Sequence, residues 1–274
     1  MAAKNPWARY RFTAADEKFS LDAIDPSSKP FSSGGKSRDK QLVDQLAQQL
    51  DVLQNKFFAD KRYKMLVVLQ GLDTSGKDGV LRTVFGRMSP LGVRAVPWGV
   101  PNEAERHHDY LWRIHQQVPG AGEIVAFNRS HYEDVLVPVV NGDIDAAQTH
   151  RRYAQINDFE RMLAETGTLV VKFMLHISKD EQRARLQARL DDPAKRYKFQ
   201  RGDLKVRKQW DDYQRAYARA VGMTSTPWAP WVIVPADSKT HRNLMIALSL
   251  RACFQSLPLR YPDEDPTLAA VKVD

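Results

Sequence analysis

Apolar positions along this chain follow two rhythms that take turns. Lys64-Met65-Leu66-Val67-Val68-Leu69 is an apolar run of strand length with no polar alternate, the pattern of a strand covered on both faces. Residues 93–97, 123–127, 168–177 and 231–235 predict four more strands. Helical spacing fills the gaps. Leu42, Val43, Leu46, Leu50, Leu53 and Phe57 predict a helix over 39–58, and Val80, Leu81, Val84 and Phe85 predict one over 79–87. Further helices are expected over 103–118 with Asn102 as N-cap, over 148–165, over 179–190 behind Ser178, and over 239–255. This alternation predicts an α/β fold, a mostly parallel sheet with helices on both faces. Ligands of such sheets sit beyond the carboxyl ends of the strands. The loops after Leu69, Phe127, His176 and Val234 are therefore expected at one mouth.

Loop signals at Pro26-Ser27-Ser28-Lys29-Pro30 and Ser32-Ser33-Gly34-Gly35 mark residues 1–40 as an irregular N-terminal arm. Residues 41–262 read as a single domain and 263–274 as a C-terminal tail. A chain of 274 residues, 43% hydrophobic and 27% charged, has room for one large core and an ordinary globular composition. No apolar run approaches membrane-spanning length, and the first residues hold no signal-like apolar stretch, so no membrane association is expected. The single Cys253 forms no intrachain disulfide and reads as a core filler, and the cytoplasm is the expected location.

Candidate chemistry begins where the first strand ends, at Gly71-Leu72-Asp73-Thr74-Ser75-Gly76-Lys77. In a strand-to-helix turn, such glycines let the backbone N–H groups of residues like Thr74 and Ser75 curl around phosphate oxygens. Lys77 then reaches the outer phosphates as a point charge, with Gly79 and Arg82 in the turn behind it. Two carboxylates depart from the usual pattern: Asp73 lies inside the loop, and Asp78 stands where a Ser or Thr hydroxyl normally meets a metal ion. Negative charge beside a phosphate chain calls for cations, supplied by a metal held at Asp73 and Asp78 or by arginine. The plainer alternative, a turn with an exposed lysine, does not account for the strand and helix on either side.

A second motif, Asn128-Arg129-Ser130-His131-Tyr132-Glu133-Asp134, opens at the end of the next predicted strand, on the same mouth. Arg129 is placed there to neutralise charge on a transferring phosphoryl group. Glu133 and Asp134 are candidates for meeting a metal through water or a nucleotide. The same residues also suit a capped helix start, Ser130 with Glu133. His131 has no second His or Cys at metal-ligand spacing and reads as structural.

Charge sharpens this picture once it is located. Residues 183–219 carry twelve basic and five acidic side chains, so +7 of the formal +8 lies in one segment. Arg185 and Arg189 share a helix face. Pro193 ends that helix, Lys195-Arg196-Tyr197-Lys198 forms a basic loop, and a second helix, capped by Asp203, carries Trp210, Tyr213 and Tyr217. Helix, loop and helix make a hinged basic lid suited to a polyanionic partner.

With these blocks in view, the chain resembles the polyphosphate kinase 2 family, proteins with a P-loop kinase-like three-layer sandwich similar in fold to thymidylate kinase. The resemblance runs from about Lys40 to Arg260, through both motifs, through Leu186-Gln187-Ala188-Arg189-Leu190-Asp191-Asp192-Pro193, and through the stretch ending Val234-Pro235-Ala236-Asp237. It implies transfer of the terminal phosphate of inorganic polyphosphate to a nucleotide, reversibly and with Mg²⁺, for which Mn²⁺ can substitute. AMP and ADP would be the acceptors and ADP and ATP the products. Lys77 and the loop amides would cradle phosphate, Asp73 would position the acceptor or metal, and Arg129 with Arg185 or Arg189 would stabilise the transferring group. Lys195, Arg196 and Lys198 would track the donor. Much of the family has Asp where this chain has Asn128, and a Trp-Tyr-Asn run in place of His131-Tyr132-Glu133. The version found here resembles the class III subgroup, which phosphorylates AMP and ADP and implies that Glu133 accommodates the shorter nucleotide. No nucleic acid partner is expected; apolar helix faces would suit a homo-oligomer. An ATP-dependent nucleoside monophosphate kinase would share loop and lid, but Asp78 argues against it. A non-catalytic RNA-binding module would need an aromatic-rich motif that is missing.

Overall fold

The structure is a computed structural model, and it describes residues 6–263, 265–267 and 271–273. Residues 1–5 of the expected arm and 264, 268–270 and 274 of the expected tail lie outside the described residues. In chain order the elements are β1 (Arg11–Phe12), α1 (Gly35–Asp60), β2 (Lys64–Gln70), α2 (Lys77–Val80), β3 (Val93–Pro97), α3 (Glu103–Arg106), α4 (Trp112–His115) and β4 (Ile124–Asn128). There follow α5 (Val137–Asn141), α6 (Ala146–Glu165), β5 (Thr168–His176), α7 (Lys179–Asp191), α8 (Arg201–Lys208), α9 (Trp210–Thr224), β6 (Trp231–Pro235) and α10 (Lys239–Gln255).

The strands form one sheet in the order β1-β6-β5-β2-β4-β3, parallel except for β1, which runs antiparallel to β6. Met65, Leu66, Val67, Val68 and Leu69 of the central β2 are all fully buried, which is why that strand reads as an unbroken apolar run. Helices α1, α2 and α10 pack together in one layer; α6 packs on β5 and α9, in another. This is the three-layer α/β arrangement that the alternating periods predict, with β2, β4, β5 and β6 all ending at one mouth.

Several local expectations are corrected. The helix expected over 103–118 is two single turns, α3 and α4. Asp109 interrupts it: its carboxylate accepts from the N–H groups of Leu111 and Trp112 and starts a fresh turn. Asn102 does cap α3, in a reciprocal box with Glu105. Behind the phosphate loop, α2 passes into a π turn, Leu81–Phe85, not a regular helix. The helix assigned to Asp203 is broken at Gln209 into α8 and α9, and Asp203 sits inside α8, accepting from the Gln200 N–H at 3.4 Å. The segment ahead of α1 is not wholly irregular. It supplies β1 and buries Tyr10, Leu21 and Ile24 in the core, and α1 itself starts at Gly35.

One charged cluster lies inside the apolar core. Lys172, fully buried in the middle of β5, donates to Glu160 Oε2 at 2.6 Å, to the Tyr132 hydroxyl at 2.8 Å and to the Thr224 carbonyl at 2.8 Å. Glu160 Oε1 accepts a hydrogen bond from the Tyr132 hydroxyl at 2.9 Å and faces His131 Nε2 at 3.3 Å. Burial opposes the Glu160 charge, but Lys172 and His131 hold its carboxyl below the usual range. The cluster fixes His131 and Tyr132, and so anchors the turn that carries Arg129 and Glu133. Lys172→Met alone leaves a buried carboxylate without its cation and should cost about 3–5 kcal/mol. Adding Glu160→Leu should return most of that, because a buried pair replaced as a whole is often neutral. Denaturant melts of both variants check this; a double variant no more stable than the single one would mean that the pair is worth more than its apolar replacement.

Candidate active site

The loop between β2 and α2 is bent by its own backbone. Gly71 has φ 145° and Gly76 φ 106°, and Thr74 takes φ 68° without being glycine. The two glycines are also fixed by neighbours. A Cβ on Gly71 would lie 2.7 Å from the Leu175 carbonyl oxygen, and one on Gly76 would collide with Nη1 of Arg242. Lys77 is buried; its Nζ donates to the Gly71 carbonyl at 2.6 Å and the Leu72 carbonyl at 3.4 Å, leaving one N–H for a phosphate oxygen. Burial pushes its pKa down to about 8, with Arg129 adding to the shift. The hydroxyls of Thr74 and Ser75 are buried without a hydrogen-bond partner.

Arg129 stands at the end of β4 with φ 67°, an unfavourable conformation for a side chain of this size and held by the Leu69 carbonyl, which accepts its N–H at 3.0 Å. Its guanidinium donates to Asp73 Oδ1 at 2.5 Å and Glu133 Oε2 at 3.0 Å. Burial works against its charge, yet Glu133 and Asp73 keep its pKa above the ordinary arginine value. Glu133 also accepts from Gln70 at 3.2 Å, so both its oxygens are committed. Ser130 caps the turn through the Tyr132 N–H, and the reciprocal box with Glu133 expected from the sequence does not form, because Arg129 claims that carboxylate. Asn128 Nδ2 donates to Asp78 Oδ1 at 2.8 Å.

Two cavities meet here. One, about 380 Å³, is lined by Glu133, Leu136, Val137, Val206, Tyr213 and Tyr217 among others. The second, about 530 Å³, is walled by Lys77, Asp78, Arg82, Lys195, Lys239 and Arg242 together with Gly76 and Gly79. Asp73, Arg129, Arg189 and Lys198 belong to both. Arg189 is steadied by the Lys198 carbonyl at 3.2 Å and by Asp203 at 3.6 Å. Lys198 lies 3.9 Å from Asp78.

Not every expected residue reaches this junction. Arg185 lines the larger cavity but not the junction; it is buried and spends its guanidinium on Glu181 and on the carbonyls of Thr74, Ser75, Ala236 and Asp237, so it braces the loop. Arg196 donates to the Leu190 carbonyl at the end of α7 and lines neither cavity. Asp134 turns toward Arg113, 3.9 Å away, and burial raises its pKa. It faces neither cavity, so it does not stand with Asp73 and Asp78. His131 is structural, as its spacing suggested. Sequence reasoning passed over Arg242 and Lys239; two basic residues ahead of the apolar stretch of α10 were the available signal.

A phosphate loop at the end of the central strand, an arginine at the end of its neighbour and a basic helical segment across the mouth define a phosphate-loop kinase. Residues 34–258 match the family described as Polyphosphate kinase 2 (PPK2). The chain belongs to the polyphosphate kinase 2 family. It is 47% identical to the AMP/ADP-polyphosphate phosphotransferase of Meiothermus ruber, over 94% of this chain and 96% of that one. It is 37% identical to the ADP-polyphosphate phosphotransferase of Rhodopseudomonas palustris, over 91% and 90%. The crystal structure of polyphosphate kinase 2 from Arthrobacter aurescens TC1 superposes with TM-score 0.92 at 45% identity, covering 98% of this chain and 95% of that one. No helix among the described residues is long and apolar enough to cross a membrane.

Proposed function

We propose that this phosphotransferase moves the terminal phosphate of inorganic polyphosphate to AMP and to ADP, forming ADP and ATP reversibly. The observation that carries the reading is the pair of cavities with a shared wall. The smaller one has the aliphatic and tyrosine surface that a purine base needs, so it takes the acceptor nucleotide. The larger one is walled by cations and loop backbone and has no aromatic side chain in its lining, so it takes a chain of phosphates. Asp73, Arg129, Arg189 and Lys198 stand where the two meet and where the phosphoryl group passes.

In this reading an oxygen of the acceptor's last phosphate bonds to the terminal phosphorus of the donor. The anhydride bond from that phosphorus to the bridging oxygen breaks, and the shortened chain leaves with the bridging oxygen. Such transfer asks for alignment and charge neutralisation more than covalent help. Lys77 holds the donor's outer oxygens, Arg129 and Arg189 face the equatorial oxygens of the transferring group, and the carboxylates on Arg129 fix its direction. Lys198 closes the donor side. Arg185, in the wall of the donor cavity with its N–H groups already committed, keeps the loop in shape.

Asp73 and Asp78 fit a divalent cation of the Mg²⁺ kind, with Mn²⁺ as a substitute. Such ions are bound through one or two carboxylates together with substrate phosphates and water. Both carboxylates line the donor cavity beside Lys77. When bound there, the ion would screen the negative charge that the two aspartates add to the phosphate chain.

ATP formation from long-chain polyphosphate and Mg²⁺, with AMP or ADP as sole acceptor, tests the proposal. Product is expected from both. ADP as the only working acceptor would remove AMP from the reading. No product from either, with transfer from ATP to a monophosphate, would replace it with a conventional nucleoside monophosphate kinase.

A further inference from the structure

The charged cluster in the core is out of substrate's reach. Lys172, Glu160, His131 and Tyr132 are all buried, and none of them lines either cavity. The three donors of the ammonium are spent on Glu160, the Tyr132 hydroxyl and the Thr224 carbonyl. An ion pair so enclosed adds little stability over apolar residues of the same volume. What it does supply is direction. Satisfied hydrogen bonds in a dry core permit one arrangement, whereas apolar side chains can slide and repack.

Two walls of the acceptor site are tied together by these bonds. One is the turn after β4, where Arg129 and Glu133 flank the residues that the cluster grips, His131 and Tyr132. The other is α9, whose Tyr213 and Tyr217 line the acceptor cavity and whose last residue, Thr224, offers its carbonyl to Lys172. Such a terminal carbonyl has no partner within its own helix, and the ammonium supplies one. Thr224 Oγ1 also accepts from Trp231 Nε1 at 2.9 Å, and the Trp231 ring meets Tyr132 edge-on with centroids 4.8 Å apart.

The turn needs this support. Arg129 keeps φ 67°, a conformation that persists only where its surroundings impose it. On one side the Leu69 carbonyl holds its N–H at 3.0 Å. On the other the chain is fastened two and three residues on, at His131 and Tyr132.

We propose that Glu160 and Lys172 are positioning residues for phosphoryl transfer, which act through Tyr132 and His131 to hold Arg129 in the strained conformation that aims its guanidinium. This rests on the reading of Arg129 as the arginine that faces the transferring group. Loosening the cluster lets the backbone at Arg129 relax, and the guanidinium leaves the line of transfer while the donor cavity keeps its cations.

The experiment measures kcat, KM for long-chain polyphosphate and a thermal melt for two changes, each made in the wild-type enzyme and in Arg129→Ala. One is Lys172→Met with Glu160→Leu, which replaces the pair as a whole. The other is Tyr132→Phe, which leaves the pair and the ring in place and removes the hydroxyl that joins the pair to the turn. Replacing the pair should lower kcat about ten- to a hundredfold, the scale of a small misplacement of a reacting group, although stability is largely retained. KM for polyphosphate should stay within about twofold. Tyr132→Phe should lower kcat about tenfold. In Arg129→Ala each change should cost less than about twofold more, because the residue they act through is gone.

A paired replacement that melts like wild type and keeps its kcat would overturn the proposal and leave the cluster a packing element. An equal loss with and without Arg129 would overturn it too, since the cluster would then act by another route. Should the paired replacement not melt cooperatively, Tyr132→Phe decides alone, and full kcat there overturns the proposal. Unchanged kcat in Arg129→Ala itself would refute the role of Arg129, and with it the residue that the cluster serves.

Discussion

Lys77→Ala should lower turnover by about three orders of magnitude or more, while the protein unfolds cooperatively as before. The ammonium is buried, shifted down to about 8, and held by two loop carbonyls, Gly71 and Leu72. A cation kept in that environment is a cost to the folded state, and a phosphate oxyanion is the partner that offsets it. Removing it therefore takes away little that holds the core together and most of what holds the donor's reacting end. Steady-state rates with long-chain polyphosphate and ADP, beside a circular-dichroism melt, decide the matter. Near-normal turnover would take the loop out of the mechanism; a collapsed melt would make the lysine a structural element.

Arg129→Ala should cost roughly two to three orders of magnitude in kcat, the range seen when a preorganised transition-state donor is removed. The size of the effect follows from how firmly this side chain is aimed. Asp73 at 2.5 Å and Glu133 at 3.0 Å hold two edges of the guanidinium, and the turn behind it is anchored through Tyr132 and His131. Without Arg129, Asp73 and Glu133 also face the acceptor's phosphate uncompensated, so some rise in KM for ADP is expected beside the fall in kcat. Arg129→Lys should not restore the rate, because an ammonium cannot reproduce a planar fork shared between two carboxylates and a phosphate. A change confined to KM would make Arg129 a binding residue instead.

The outline of the fold was legible because β2 and β6 are covered on both faces and therefore read as apolar runs, and β5 is interrupted in its middle only by Lys172. What could not be read was set by single side chains. Asp109 splits a helix whose apolar spacing continues through it, since a local carboxylate cap leaves no trace in periodicity. β1 is only two residues long, too short for any period to register. Within the site, the loop and Arg129 were visible because their residue types and order are characteristic. The division of labour among the arginines was not. Arg185 and Arg189 share a face of α7 and look alike on paper. Only the packing shows that Arg185 is consumed by carbonyls at its back while Arg189 faces the junction. Arg242 lies 165 residues from the phosphate-loop lysine in the chain, and only tertiary structure places it against Gly76.

The two-residue β1 has a role out of proportion to its length. It pairs Arg11 with Val232 and Phe12 with Trp231, on the flank of β6 that β5 leaves open. Trp231-Val232-Ile233-Val234-Pro235 is uncharged and buried along its whole length, the composition of a segment that recruits other strands when its backbone is left unpaired. The family match begins at residue 34, behind this cover. A version of the chain started there should retain every residue of the two cavities and still come off a sizing column as large, heterogeneous species. That outcome would make the leading segment a cover for the sheet edge, exerted through two backbone pairs, Arg11 with Val232 and Phe12 with Trp231.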